Sequence, residues 1–452
     1  MGIKTFCVAL ICYGLTGSGW AWSDHALAAW PALRAMPQMR ALPPVKAETL
    51  EQFLAANRKG VADVLAQQER WARQNVPNYP SLPEALAFKA DKKTTAAQLR
   101  DRFAAATRIN PQTPLPLFVA LDPGAATPSR KPRLDSARVS ILPLDGAALG
   151  MRFVGLKSGE RVSVIDVVVT ACDEPDFGLD IGLWSDSGTA WGQRYGMGEL
   201  PFGNPAVIYT TQAPLHMGFY YEPSVAYAAA PYLKRTYPEW RIHLWRSLAV
   251  YALSKGHNYW GWRFAGWAAH YAQDLTQPYH ARVLPGVNIA SMFGTGVADI
   301  LGWHGPKNNA VVLVSNRHLA LENIQRKALQ SLSAQGLKLD PWIQSLGNTS
   351  VDAQYAAWTE QSARDVIARE AQDFADTLDA SLAQALPAKY INDPSFDLGA
   401  HEEGLDLYTE LMQSDGKTRD RLLDNTGQLL ARFGAHTRIL MRSLLPKPNG
   451  PK

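Results

Sequence analysis

At 452 residues the chain has room for two or three average domains or one large one, and 46% hydrophobic residues supply a core, which excludes global disorder. Lys+Arg 45 against Asp+Glu 41 leaves a formal +4, too small an excess for a dedicated duplex-DNA binder, so the partner has to be argued from a site. Of three cysteines, Cys7 and Cys12 fall in the first dozen residues; with that segment removed only Cys172 remains, and no disulfide framework can form.

In chain order, residues 1–21 read as a secretory signal. Lys4 supplies the charge, Phe6 to Leu15 an apolar run too short to span a bilayer, and small residues follow up to Ala21. Cys12 lacks the small residue expected before a lipidated cysteine, so cleavage rather than anchoring is expected, with a periplasmic or secreted product. Cleavage after Ala21 leaves Trp22 as the first residue and is preferred, on the small-x-Ala pattern, over cleavage after Gly19, which leaves Trp20.

Residues 22–452 read as one mostly α domain. From Ala47 to Val76 apolar residues recur at three and four, the spacing of an amphipathic helix closed by Pro77 and Pro80. Prolines 111, 114, 116, 123, 128, 132 and 143 mark an irregular, partly β insertion over about residues 110–160. Val162 to Ala171 is β-branched and reads as a strand in isolation, a buried helix being the alternative. Helical periodicity dominates from Arg241 onward, with one stripe running from Tyr355 to Leu382 before Pro387 and a last helical region from about Leu405 to Leu445. Ahead of both lies an apolar, glycine-containing loop insertion over about 285–312.

The sharpest local signal is His270-Tyr-Ala-Gln-Asp274-Leu-Thr-Gln-Pro278-Tyr-His280. In a helix, His270 and Asp274 stand one turn apart on one face and could share a metal ion; Pro278 stops the helix and His280 leaves from the turn beyond. His318 and Glu322 repeat the one-turn spacing, an arrangement that in isolation is most often a surface ion pair. His216 sits among prolines and aromatics, where a buried structural histidine is the ordinary reading, and Asp176 follows Asp173-Glu-Pro in what is otherwise a turn. After signal removal the amine and carbonyl of Trp22 and the imidazole of His25 could chelate together.

This set resembles the zinc-dependent phospholipases C and the single-strand-specific nucleases of the P-one type, which share a multi-helix fold. What the resemblance implies is three zinc ions. Trp22, His25 and Asp274 would hold one; Asp176, His216, His270 and Asp274 a close neighbour bridged by Asp274; His280, His318 and Glu322 the third. Asp173 and Asp180 are the alternatives to Asp176. The implied activity is hydrolysis of a phosphodiester by zinc-activated hydroxide, with phospholipase C-like chemistry ahead of nuclease. The substrate would be a phospholipid headgroup or single-stranded nucleic acid, and no stable protein partner is implied.

Elementary chemistry agrees: imidazole and carboxylate are zinc ligands in a chain without a cysteine pair. Asp176 could additionally hold or deprotonate the attacking water. The aromatic run Tyr259 to Trp267 reads as core packing, although Trp267, one turn before His270, could line a cleft. Gly286 to Trp303 could touch a membrane surface transiently. A non-catalytic exported zinc protein is the competing class. His257, near the motif, could support a ligand, while His243, His304, His401 and His436 carry no expected role.

Overall fold

Every residue from Tyr259 to Ala281 is buried, and the architecture follows from that. A helix enclosed on all sides must be wrapped on all sides. The computed structural model describes residues 24–124, 131–142, 152–203, 208–287, 305–336, 340–401 and 404–446, most of them helical. The helices that matter here are α1 (His25–Arg34), α2 (Leu50–Ala56), α3 (Arg58–Asn75), α4 (Ala96–Thr107), α5 (Val164–Asp173), α6 (Ala213–His216), α7 (Pro238–Ser254), α8 (Asn258–Asp274), α9 (Pro278–Ala281), α10 (Gly305–Ala334), α11 (Pro341–Gly347), α12 (Arg369–Ala385) and α13 (Gly416–Arg442). The central α8 is covered by α5, α7 and α13; α1 lies against α5, α10, α11 and α13.

Two glycines set how closely this core closes. Gly256, at φ +77, turns the chain between α7 and α8. Gly266 lies where α8 crosses α5, and a Cβ there would stand 2.5 Å from the Val168 carbonyl oxygen, so only hydrogen allows this approach. The remaining space is filled by Trp245, Trp260, Phe264 and Trp267, all fully buried, with Trp245 edge-on to Trp267 at 4.7 Å. Burying a side chain the size of Phe264 contributes roughly 2–3 kcal/mol.

Strands are few and short. β1 (Val45–Lys46) pairs antiparallel with β5 (Arg161–Val162). In the proline-rich stretch, β2 (Phe118–Ala120), β4 (Phe153–Gly155) and β3 (Arg133–Leu134) form an antiparallel sheet in the order β2-β4-β3, with Val154 opposite Val119 on one side and Arg133 on the other.

Several sequence expectations need correction. Val164–Asp173 is helical rather than extended: Asp166 is its one residue that is not buried, so the helix leaves no period to read. The stretch from Ala47 to Val76 is two helices, broken at Asn57, whose amide donates to the Phe53 carbonyl at 2.9 Å. Pro278 does not end α8, which stops at Asp274; it begins α9, where a missing N–H costs nothing, so His280 is helical. Tyr355 and Trp358 precede the helical stretch that leads into α12. Of the apolar insertion, residues 305–312 belong to α10 and 288–304 lie outside the described residues, as do residues 1–21, expected to be a leader, and Trp22. Among the described residues no helix is long and apolar enough to cross a membrane.

Candidate metal centre

Four separate elements deliver ligands to one end of α8. The helix itself presents His270 and Asp274, and α1 brings His25 at its first turn. Beyond α5 the chain tightens into a π-type turn, Pro175–Leu179, which carries Asp176 inward. Gly178, at φ +123, reverses it, and a Cβ there would meet the Ile141 side chain at 2.2 Å. His216 ends α6. All five residues are at most 3% exposed.

Each carboxylate turns one oxygen to each of two groups of imidazoles. Asp274 Oδ1 lies 3.3 Å from His25 Nε2, while its Oδ2 lies 2.9 Å from His216 Nδ1 and 3.2 Å from His270 Nε2. Asp176 repeats the pattern at longer range, with Oδ2 3.9 Å from His25 Nε2 and Oδ1 3.8 Å from His216 Nδ1 and 3.7 Å from His270 Nε2. Asp176 thus faces both groups, beyond the single site that the resemblance implied for it. Asp173 and Asp180 do other work: Asp173 Oδ1 accepts from the Ala26 N–H at 3.0 Å, and Asp180 stands behind His216.

The partners behind the ligands decide which ring nitrogen is free. His270 Nδ1 must donate to the Cys172 carbonyl at 2.7 Å, leaving the lone pair on Nε2. His216 Nε2 faces Asp180 Oδ2 at 3.2 Å, and that carboxylate also accepts from Tyr271 at 2.7 Å and Arg241 at 2.6 Å, so Nδ1 is the free nitrogen. Gln273 donates its amide to Thr437 at 3.0 Å, which fixes its Oε1 toward His25 Nδ1 at 2.9 Å and frees His25 Nε2. Gln212 donates to Asp176 Oδ1 at 3.1 Å. The sequence reading missed Gln212 and Gln273; Gln273 lies inside the His270–Asp274 motif, whereas nothing local marks Gln212.

The third cluster forms where α9 and α10 meet. His280 Nε2 is 3.2 Å from His318 Nε2, and Glu322 Oε1 is 2.6 Å from His318 Nε2 and 3.9 Å from His280 Nε2. His280 and Glu322 are buried, but the His318 side chain remains 15% exposed, so this cluster has an open edge.

Electrostatics describe a site that attracts positive charge. Burial opposes ionisation of Asp274, yet His270, His216 and His25 hold its carboxyl well below the usual range. Burial likewise disfavours a proton on His25, but the Asp274 contact outweighs it and pushes the imidazole up to about 9. For His216, Asp180 and Asp274 overcome burial and push it up to about 10. Burial pulls His280 down to about 3 and raises Glu322.

The described groups fit divalent cations. His25 Nε2, both oxygens of Asp274 and both oxygens of Glu322 are buried without hydrogen-bond partners, a costly state unless a cation completes it. Two ligand bonds of about 2.05 Å at a tetrahedral angle separate donor atoms by about 3.3 Å. The His280–His318 separation of 3.2 Å and the Asp274–His25 separation of 3.3 Å are close to that edge. Within each of the sets His25–Asp176–His270, His216–His270–Asp274 and His280–His318–Glu322, ligand atoms lie within 4.8 Å of one another. These clusters can hold metal ions.

Other expected contributors fall away. Trp267 is fully buried and its indole N–H bonds Glu174 Oε2 at 2.5 Å, so it lines no cleft. With Arg263, which also grips Glu174, it anchors the turn bearing Asp176. His257 bonds Glu48 at 2.9 Å and supports no ligand. Compared with known protein families, curated proteins and solved structures, the chain matches none. The functional reading therefore rests on the geometry of these residues and on their motifs.

Proposed function

We propose that the chain is an exported, trizinc-dependent phosphoric ester hydrolase with the helical core of the phospholipase C and P-one nuclease family, phospholipase C-like in its activity. The observation that carries the reading is the orientation of Asp274, each oxygen facing a different imidazole set, beside a third cluster that keeps one edge open. Structural zinc sites are closed, so the exposure of His318 favours catalysis over a purely structural role. Bound zinc would supply Lewis acidity to phosphoryl oxygens and bring the acidity of water near neutrality.

The chain's own groups do the rest. Asp176, set at 3.7–3.9 Å from the imidazoles instead of pressed against them, leaves room to hold water and accept its proton at either oxygen, while Gln212 fixes its plane. His318, at the open edge, is where a phosphate ester approaches. The aromatic run is core and argues for neither lipid nor nucleic acid; the segment that suggested a membrane contact falls mostly outside the described residues.

The decisive test is phosphorus NMR of products after zinc-loaded protein meets phosphatidylcholine vesicles and single-stranded RNA together. Phosphocholine release is expected; mononucleotides would move the assignment to nuclease; neither product would overturn the hydrolase reading for these classes. Asp176→Asn should keep its zinc and lose on the order of 10²-fold or more in turnover. Full zinc content with an unchanged rate would remove Asp176 from the proton-transfer role.

A further inference from the structure

Outside the ligand set, one buried carboxylate touches the neighbours of two ligands at once. Asp379, on α12, is 3% exposed. Its Oδ1 accepts from the Tyr279 hydroxyl at 2.8 Å and its Oδ2 from Arg317 Nη1 at 2.7 Å. Tyr279 precedes His280 in α9, and Arg317 precedes His318 in α10. The Tyr279 ring also lies under the His318 imidazole, centroids 5.6 Å apart and planes 26° from parallel. A single carboxylate therefore ties together the two segments that bear the imidazoles of the third cluster.

The surroundings make this tie rigid. Arg317 also donates Nε to the Ile391 carbonyl at 2.9 Å and Nη2 to Asn392 Oδ1 at 2.8 Å. Gly286, at φ +75, closes over the carboxylate so tightly that a Cβ would lie 2.2 Å from Asp379 Oδ2. One helical turn earlier, Asp376 accepts from the Gly286 N–H at 2.8 Å and from Arg282 at 2.8 Å, so α12 grips the 279–286 segment at both ends. Apolar residues would join three helices at less desolvation cost, whereas a carboxylate held by two donors fixes direction as well as distance.

We propose that Asp379 is the positioning residue of the third cluster: by holding Tyr279 and Arg317 it sets the 3.2 Å separation of His280 and His318, and so the cation affinity of that cluster alone. This rests on the metal-site reading above. Asp379 does not touch a ligand atom, and its effect runs through the two side chains it holds.

The test is zinc content per folded chain across a series of free zinc concentrations fixed by a chelator, comparing wild type with Asp379→Asn, Tyr279→Phe and the double variant. The expected result is that one ion's half-occupancy moves to roughly 10–100-fold higher free zinc in Asp379→Asn while the other two are unmoved. Tyr279→Phe should give a smaller shift in the same ion and add little on the Asp379→Asn background. A lower melting temperature with all zinc midpoints unchanged would reduce Asp379 to a packing role and overturn the proposal. If Asp379→Asn fails to fold, Tyr279→Phe alone decides, since its ring is retained. Wild type that takes up no zinc at all overturns the functional reading itself, a result distinct from three ions bound and insensitive to residue 379.

Discussion

Two buried polar regions flank the last helix, and they are built on opposite principles. On one face of α13, Arg438 donates Nε to Asp352 at 3.0 Å, Nη1 to the Leu346 carbonyl at 2.6 Å and Nη2 to the Asn348 carbonyl at 2.7 Å, with Arg442 adding a further bond to Asp352. Every side-chain nitrogen of Arg438 and both oxygens of Asp352 have a partner. One residue earlier on the same helix, Thr437 bonds Gln273, and behind Gln273 lies the group of His25, Asp274 and their neighbours, where ring nitrogens and carboxylate oxygens converge without mutual satisfaction. The first region is complete as folded. The second leaves His25 Nε2 and both Asp274 oxygens buried without hydrogen-bond partners, a state that a bound cation would complete, and that difference distinguishes a structural ion pair from a group able to hold a metal more sharply than burial does.

The comparison can be broken most decisively at Asp274. Asp274→Ala should empty both sites that share it and lower kcat/KM by on the order of 10³-fold or more, about 4 kcal/mol of barrier. Zinc content and turnover measured on the same sample check this, and a variant with full zinc and wild-type rate would refute the shared-ligand arrangement. Arg438→Met should do the reverse: about 3–5 kcal/mol of stability lost in denaturant titration, because Asp352 is left buried beside a single exposed partner, with zinc per folded chain unchanged.

A subtler test concerns pH. In metal-free protein His25 and His216, raised to about 9 and about 10, contribute stability that is fully present below pH 6.5 and lost as pH rises through 9–10. Chelated protein should therefore melt lower at pH 10 than at pH 6, and zinc should remove most of that dependence while releasing protons at pH 7, measurable by calorimetry in buffers of different ionisation enthalpy. Smallest is Gln273→Met, which removes the acceptor that orients His25: zinc affinity at one site should fall roughly 10-fold with little change in melting temperature.

How much of this was visible in the sequence depends on how far apart in the chain the interacting residues lie. His270 with Asp274 and His318 with Glu322 could be read directly, because one helical turn is a local spacing. His25, Asp176 and His216 were weak signals one by one and were joined to the set through resemblance, since tertiary packing alone brings them together; the separation between His25 and Gln273 is 248 residues. The helix Val164–Asp173 was obscured because burial on nearly every side removes periodicity. Asp379 was invisible for another reason: it acts on the residue next to each ligand, and no motif records that.

The first described helix carries a consequence for time. In α1 every residue from His25 to Leu33 is buried, yet the helices that cover it include α5 and, near the far end of the chain, α13. A ribosome adding about 5–20 residues per second finishes α13 tens of seconds after it makes α1. For that interval HALAAWPALR is an uncovered apolar segment with a histidine at its head, and full enclosure of His25 waits for α13.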